Sequence, residues 1–287
     1  MEEDCCHSTT CNRIDQLEQN HVREFFNGSS AFWTQIYYRK DLFAIIHQQR
    51  LAIALRYVSE LSLPNNTRAL EIGCGSGFMA LALAKRGFTV EVLDYSRKMI
   101  KVAQNNAMQT SLDKKIHLNI GDAHNLAFHN QSFNLIIALG VTPWLYDVKK
   151  TLNEIARVLV HGGYVVLNAD NLFRLNWLFD PRRSPFAKST REWLKKKLSR
   201  VGSQNNRNVF QPHAYSIQKF NAYLHEANLK NVRNTNLGFG PFLLFPHIEF
   251  PDSIGVKINQ KLQEYADVGF PILRSTGAQY IVLAKKV

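Results

Sequence analysis

The sequence predicts a doubly wound α/β fold, and three observations carry that prediction. Short apolar runs alternate with helix-like segments from residue 65 onward, and the first three of these runs end at or beside an acid: Glu71, Asp94 and Asp122. The first run, Leu70-Glu-Ile-Gly-Cys-Gly-Ser-Gly-Phe78, passes directly into three alternating glycines. Alternation of this kind builds a parallel sheet with helices on both faces, whose ligands bind beyond the carboxyl ends of the strands. Glu71, Asp94, Asp122 and Leu139 are all expected at those ends.

The elements follow in order. Residues 1–12 are polar and are expected to be a disordered tail; 13–64 are expected to form a helical cover. Within that cover Asp41 suits the cap of a helix whose apolar positions Phe43, Ile46, Leu51, Leu55, Val58 and Leu61 approximate helical spacing. Leu63-Pro-Asn-Asn-Thr67 is a turn. Strands are expected at 68–72, 89–94, 116–120, 133–139 and 163–169, with helices at 77–86, 96–108 and 147–160 between them. Ser96 and Asp147 are placed to cap two of these helices. Residues 65–170 thus form the core of the domain, and 171–287 hold the rest of the sheet with two insertions, 171–211 and 240–277. Between the insertions a helix is expected at 216–227 and a sixth strand at 232–238; a polar–apolar helix is expected near 253–267 and a last strand at 279–284.

The glycine run is suited to a nucleotide-like ligand. Gly73, Gly75 and Gly77 can take positive φ and leave no Cβ between backbone and ligand, and the following helix presents free N–H groups. The dinucleotide fingerprint is G-x-G-x-x-G, whereas this chain has G-x-G-x-G with Phe78 at the sixth position. Glu71, two residues before the first glycine, would repel a pyrophosphate and attract an ammonium group. A ligand with a ribose and a cationic amino-acid end fits better, and S-adenosylmethionine is such a molecule.

At these residues the chain resembles the class I S-adenosylmethionine-dependent methyltransferases. Besides Glu71–Gly77 and Asp94, the matching segments are Gly121-Asp122-Ala123, Phe133-Asn-Leu-Ile-Ile-Ala-Leu139 and Leu152-Asn-Glu-Ile-Ala-Arg-Val-Leu-Val-His-Gly-Gly163. The resemblance covers 65–170 well and implies a mostly parallel seven-stranded sheet, a Rossmann-like methyltransferase fold, with a helical N-terminal cover, two cap insertions and a final antiparallel strand pair. It implies that Glu71 with Gly73, Cys74, Gly75 and Gly77 faces the methionine part of the cofactor, and that Asp94 holds both ribose hydroxyls. Asp122 would meet the adenine amino group and Ala123 the ring through its N–H. Leu139 would pack near the sulfonium or the adenine, and Tyr95 and Met99 would flank the adenosine. Two acids also have plain local roles open to them: Asp94 as a helix cap before Ser96, and Asp122 as a turn acid after Gly121.

Phe32-Trp-Thr-Gln-Ile-Tyr-Tyr38 and Arg50 resemble segments that precede the first strand in bacterial small-molecule enzymes, among them ubiquinone-pathway and magnesium-protoporphyrin O-methyltransferases. Tyr37 and Arg50 would then contact the cofactor carboxylate; the alternative is an aromatic helix face packed in the core and a surface arginine. The loop Gly140-Val-Thr-Pro-Trp-Leu-Tyr146 lacks the Asn/Asp-Pro-Pro-Tyr/Phe motif of many N-methyltransferases that act on nucleobases or glutamine. It resembles small-molecule enzymes instead, with Trp144 and Tyr146 as candidate substrate contacts or loop packing. A sulfonium is already activated, so a base is needed only if the acceptor must lose a proton. His124, His213 and His247 are the candidate bases, and His161 is assigned to a structural turn.

Composition bounds the rest. The formal charge is +12, from 35 basic and 23 acidic residues, and ten basic against two acidic residues fall between Leu172 and Asn208. This segment suits a solvated lid over the acceptor pocket, an amphipathic helix on an anionic membrane, or a footprint for RNA, in that order; no RNA-binding module is recognisable, so nucleic acid is not the expected partner. Cys5, Cys6 and Cys11 beside His7 lack the C-x-x-C spacing of a metal site, and no metal is expected. The acidic N-terminus and the absence of a long apolar run predict a cytoplasmic protein, with peripheral membrane contact through the basic segment as an extension of that expectation. The expected function is methyl transfer from S-adenosylmethionine to a small lipophilic or aromatic acceptor, at oxygen. The alternatives are RNA methylation through the basic segment and a non-catalytic cofactor-binding protein.

Overall fold

In the computed structural model the described residues are 9–178, 184, 186, 188–189, 192, 212–245, 248–249 and 251–287. Seven strands make one sheet: β1 (Arg68–Ile72), β2 (Thr89–Asp94), β3 (Ile116–Ile120), β4 (Phe133–Ala138), β5 (Leu159–Asp170), β6 (Leu229–Leu237) and β9 (Gln279–Lys286). Their order is β3-β2-β1-β4-β5-β9-β6, and a separate small hairpin pairs β7 (Leu243–Phe245) with β8 (Ile248–Glu249). All neighbours among β1 to β5 are parallel, and β9 runs antiparallel to both β5 and β6. The last two sheet strands therefore pair antiparallel at the edge despite the insertion between them.

The central strands are buried on both faces, which is why they read as near-continuous apolar runs. Ala69, Val90, Leu135, Ile137, Val166 and Ile281 face one layer, built from α2 (Leu42–Glu60), α3 (Phe78–Lys85) and α4 (Arg97–Gln109). Leu70, Ile72, Ile136, Val165, Leu167 and Val282 face the other, built from α5 (Val148–Val158) and α7 (Ile217–Glu226). The long helix α1 (Thr9–Gln35) lies over the start of α4. A short helix α6 (Leu175–Leu178) and α8 (Asp252–Asp267) meet beside Phe239, Ala266 and Leu273.

Side-chain caps set the helix starts. Asp41 Oδ1 accepts the Ala44 N–H at 3.1 Å, Ser96 Oγ that of Met99 at 3.2 Å and Asp147 Oδ1 that of Lys150 at 3.0 Å. Each satisfies an otherwise unpaired donor of the first turn.

Three boundaries differ from the sequence expectation. Helix α1 begins at Thr9, inside the stretch read as a tail, and residues 1–8 lie outside the described residues. Strand β5 begins at Leu159 rather than 163, because the turn-like His161-Gly-Gly163 is absorbed as a bulge between the pairs Phe133↔Leu159 and Leu135↔Tyr164, with Gly162 at φ 75°. Strand β6 begins at Leu229, extended by its pairing to Lys286. Most of the basic segment between Leu172 and Asn208 lies outside the described residues.

Candidate functional site

The strand order brings the acids together. β3, β2, β1 and β4 are consecutive in the sheet, so Asp122, Asp94, Glu71 and Leu139 stand in a row along its carboxyl edge. The glycine loop follows β1 over this row: the Gly73 N–H donates to Leu93 O at 2.7 Å, while Gly73, Gly75 and Gly77 take φ of 69°, 52° and 78°. Such conformations are costly for any residue with a Cβ. The glycines are not equivalent. A Cβ on Gly77 would lie 3.0 Å from that of Ala103 in α4, whereas a Cβ on Gly75 would meet nothing within 4 Å. Gly77 is there for helix packing; Gly75 borders open space at the acid row.

Asp94 ties the loop to the sheet. Its Oδ2 accepts the Gly75 N–H at 3.1 Å and lies 3.8 Å from Cys74 Sγ, and its Oδ1 accepts the Ser96 N–H at 2.8 Å. Ser96 is the cap of α4, so the cap role considered for Asp94 falls to its neighbour. Cys74 is buried, with its thiol directed at Asp94, so it offers a ligand only its backbone. Burial raises the Asp94 pKa to about 6 against the hydrogen bonds from Ser96 and Gly75. Glu71 is buried more completely, and one of its oxygens, Oε2, has no hydrogen-bond partner among the described residues. Burial, with Asp94 adding repulsion, raises its pKa to about 8, although the Ala80 N–H pulls the other way.

Asp122 and His124 form a fixed unit. Asp122 Oδ1 accepts the His124 backbone N–H at 2.9 Å and lies 2.7 Å from His124 Nδ1. The Asp147 backbone N–H donates to His124 Nε2 at 3.3 Å, so the proton of the neutral ring sits on Nδ1. Tyr146 stacks on the same imidazole with ring centroids 3.7 Å apart. Both nitrogens of His124 thus have partners within the protein, and Tyr146 packs against the ring. Burial alone would raise the Asp122 pKa, but the hydrogen bonds from His124 carry it below the usual carboxylate range.

The cover supplies a cation and a wall of rings. Arg50 of α2 is buried beside Tyr37 and has no carboxylate partner among the described ion pairs. Its guanidinium nitrogens would lie 3.0 and 3.1 Å from a Cβ on Gly140, the first residue of the loop after Leu139. That loop is anchored to β5 by the Gly140 N–H to Asn168 Oδ1 and by Thr142 Oγ1 to Asn168 O, both at 2.6 Å. Helix α1 is stitched across the groove: Ser96 Oγ donates to Asn27 Oδ1 at 2.8 Å, and Ser76 Oγ lies 3.2 Å from Thr34 Oγ1 and 3.3 Å from Trp33 O. From α1, Phe25 and Phe26 each pack on Trp144 at 5.1 Å, Phe26 lies 5.8 Å from Trp33, and Trp33 lies 5.6 Å from His47 of α2.

The remaining residues singled out by sequence are dispersed. Tyr95 lies under Arg23 of α1, 5.6 Å from its guanidinium carbon. Met99 is 1% exposed, on the buried side of α4. Ala123 and Leu139 are half-buried at the edge. His213 is exposed and its N–H donates to Pro143 O at 2.7 Å, beside the loop after β4. His161 is exposed near the start of β5, toward the opposite end of the strand from the acids. His247 lies outside the described residues. Among the described residues no group of three or more His, Cys, Asp or Glu is placed to hold a metal ion, and no helix is long and apolar enough to cross a membrane.

The residues present fit S-adenosylmethionine. An orphaned buried carboxylate oxygen and two carboxyls of raised pKa call for a cation, Arg50 calls for an anion, and the missing Cβ of Gly75 leaves room between them. Known proteins agree. The sequence model of the family described as "Methyltransferase domain" matches residues 70–167. Ajmaline N-methyltransferase of Rauvolfia serpentina is 27% identical over 154 residues, covering 53% of this chain and 52% of that protein. Ubiquinone biosynthesis O-methyltransferase of Coxiella burnetii is 28% identical over 155 residues, covering 54% and 63%. The match thus spans only about half to three fifths of these relatives' lengths. Magnesium protoporphyrin IX methyltransferase of Synechocystis PCC 6803, solved with bound SAH, superposes with a TM-score of 0.60 at 16% identity over 94% of this chain and 100% of that one. The [4+2]-cyclase SpnF superposes with a TM-score of 0.59 at 13% identity over 92% and 94%, so the fold by itself does not specify the reaction. Residues 70–167 thus match a methyltransferase domain, the fold is like that of the class I S-adenosylmethionine-dependent methyltransferases, and the groove suits S-adenosylmethionine.

Proposed function

We propose that this methyltransferase acts on a small aromatic or lipophilic acceptor, and that the methylated atom is oxygen. The observation that carries this is the run of rings from Trp144, in the loop after β4, through Phe26 and Trp33 to His47, tied to the glycine loop where Ser76 Oγ meets the Trp33 carbonyl. Phe25, Phe32 and Phe43 remain 47%, 38% and 42% exposed beside it, an amount of accessible aromatic surface that suits a planar guest. The two relatives named above support a small acceptor by their names, one for oxygen and one for nitrogen.

The cofactor supplies an activated methyl group, and the chain's own residues bind, orient and exclude water. Glu71, ionised on binding, would receive the ammonium; Arg50, beside Tyr37, would receive the carboxylate. Asp94, already fixed by Gly75 and Ser96, would take the ribose hydroxyls. Asp122 Oδ2, which has no hydrogen bond among the described residues, would take the adenine amine, with the Ala123 N–H on the ring. Alignment beside this run of rings then does the catalytic work, and a base is needed only to collect the acceptor's proton. The test is a screen of phenols, aromatic amines and thiols for acceptor-dependent conversion of S-adenosylmethionine to S-adenosylhomocysteine, with products identified by mass. Phenol ethers are the expected products; turnover confined to amines, or none with any aromatic acceptor, would reject the proposal.

A further inference from the structure

His47 escapes attention in the sequence because it falls inside an amphipathic helix. In the structure it is 6% exposed and sits among rings: Phe43 at 4.2 Å and Trp33 at 5.6 Å between centroids. Its Nδ1 lies 2.8 Å from the Phe43 carbonyl oxygen, one turn back in α2. A carbonyl can only accept, so Nδ1 carries the proton and the lone pair is on Nε2. Nε2 has no hydrogen bond among the described residues. In Trp33, whose ring centroid lies 5.6 Å from that of His47, the indole N–H is buried and also has no partner among the described residues. The wall therefore carries one acceptor and one donor, each unmatched, between aromatic faces. The buried Trp33 N–H without a partner is unfavourable, and a guest hydroxyl that reached both groups would satisfy it and the His47 lone pair together.

We infer that the acceptor is a hydroxyl-bearing aromatic ring whose O–H donates to His47 Nε2 while the same oxygen accepts the Trp33 Nε1–H. This rests on the function proposed above and adds to it the two residues that hold the acceptor hydroxyl. The contact makes His47 a specificity determinant that touches the substrate. The charged groups around it agree: burial and the Arg50 guanidinium one turn on lower the His47 pKa to about 3, against the Phe43 carbonyl and Asp41, so the ring is neutral at any working pH. Arg50 acts in the same direction on a nearby phenol, making its O–H a better donor. His47 and Arg50 are three positions apart in α2, so the two share a helix face, and the hydroxyl is held close to the end of the groove where the cofactor carboxylate is expected.

The test uses the full chain saturated with S-adenosylhomocysteine, and naphthol and its methyl ether as probes of equal shape. The wild type should prefer naphthol by about tenfold, the worth of one hydrogen bond. His47→Phe keeps the aromatic volume and should bring the two affinities within about twofold, and His47→Gln should restore part of the preference. Nitrogen NMR of the imidazole should show the Nδ1–H tautomer, with Nε2 shifting on addition of naphthol and not of the ether. An unchanged preference in His47→Phe, a still Nε2, or failure of the wild type to bind naphthol would overturn the inference. Binding of S-adenosylhomocysteine in the same samples separates the two levels: its absence from the wild type would refute the function itself, whereas its retention with an unchanged preference would refute the His47 contact alone.

Discussion

His124 Nδ1 lies 2.7 Å from Asp122 Oδ1, and its Nε2 accepts the Asp147 N–H, so one imidazole joins the expected adenine site to the loop that carries Trp144. Replacing His124 by Ala should therefore do two things. It removes one of the two hydrogen bonds to the Asp122 carboxylate and leaves the Asp147 backbone N–H unpaired, which should lower stability by about 1–3 kcal/mol. It should also weaken S-adenosylhomocysteine binding severalfold by freeing Asp122. Thermal unfolding and calorimetry on the same variant report both effects; a loss of stability with unchanged affinity would place Asp122 outside the cofactor site.

The pKa of Glu71 makes cofactor binding pH-dependent with a definite sign. Its folded value, about 8, lies above the ordinary 4.5, so the unliganded protein holds an extra proton in that window and loses stability as pH rises through it. A cationic ligand favours the ionised carboxylate. Affinity for S-adenosylmethionine should rise from pH 6 to pH 8, and binding near neutrality should release a proton, seen as an enthalpy that changes with the ionisation heat of the buffer. Buffer-independent enthalpy would show that Glu71 does not change charge on binding.

Two glycine substitutions should separate folding from binding. Gly77→Ala adds a Cβ that would lie 3.0 Å from the Ala103 Cβ, at φ 78°, and should lower the melting temperature by several degrees. Gly75→Ala adds a Cβ into open space, so its cost to stability should be limited to backbone strain of roughly 1–2 kcal/mol, while S-adenosylhomocysteine affinity should fall by more than tenfold. Equal effects of the two on binding would contradict the placement of the ligand beside Gly75.

The parts legible in the sequence are those set by neighbours in the chain. The acids at strand ends, the glycine loop and the caps Asp41, Ser96 and Asp147 depend on local order, and each is found where local order puts it. The parts that were not legible depend on contacts across long stretches of chain. The packing of Phe25 and Phe26 on Trp144 joins α1 to the loop after β4, and no periodicity in either segment announces it. His124 looked like a free base because its second partner, the Asp147 N–H, is distant in sequence. One signal for His47 was available: Phe43, His47 and Arg50 fall on one helical face, at the spacing that brings side chains together.

The cofactor groove is tested most directly by titrating the full chain with S-adenosylhomocysteine in a calorimeter, wild type beside Asp94→Asn. Asn keeps the shape of the side chain and removes the charge that would hold the ribose hydroxyls. The account predicts a single site of about micromolar affinity in the wild type and a loss on the order of a hundredfold in Asp94→Asn. Equal affinity in the two proteins, or no binding by the wild type, would contradict it.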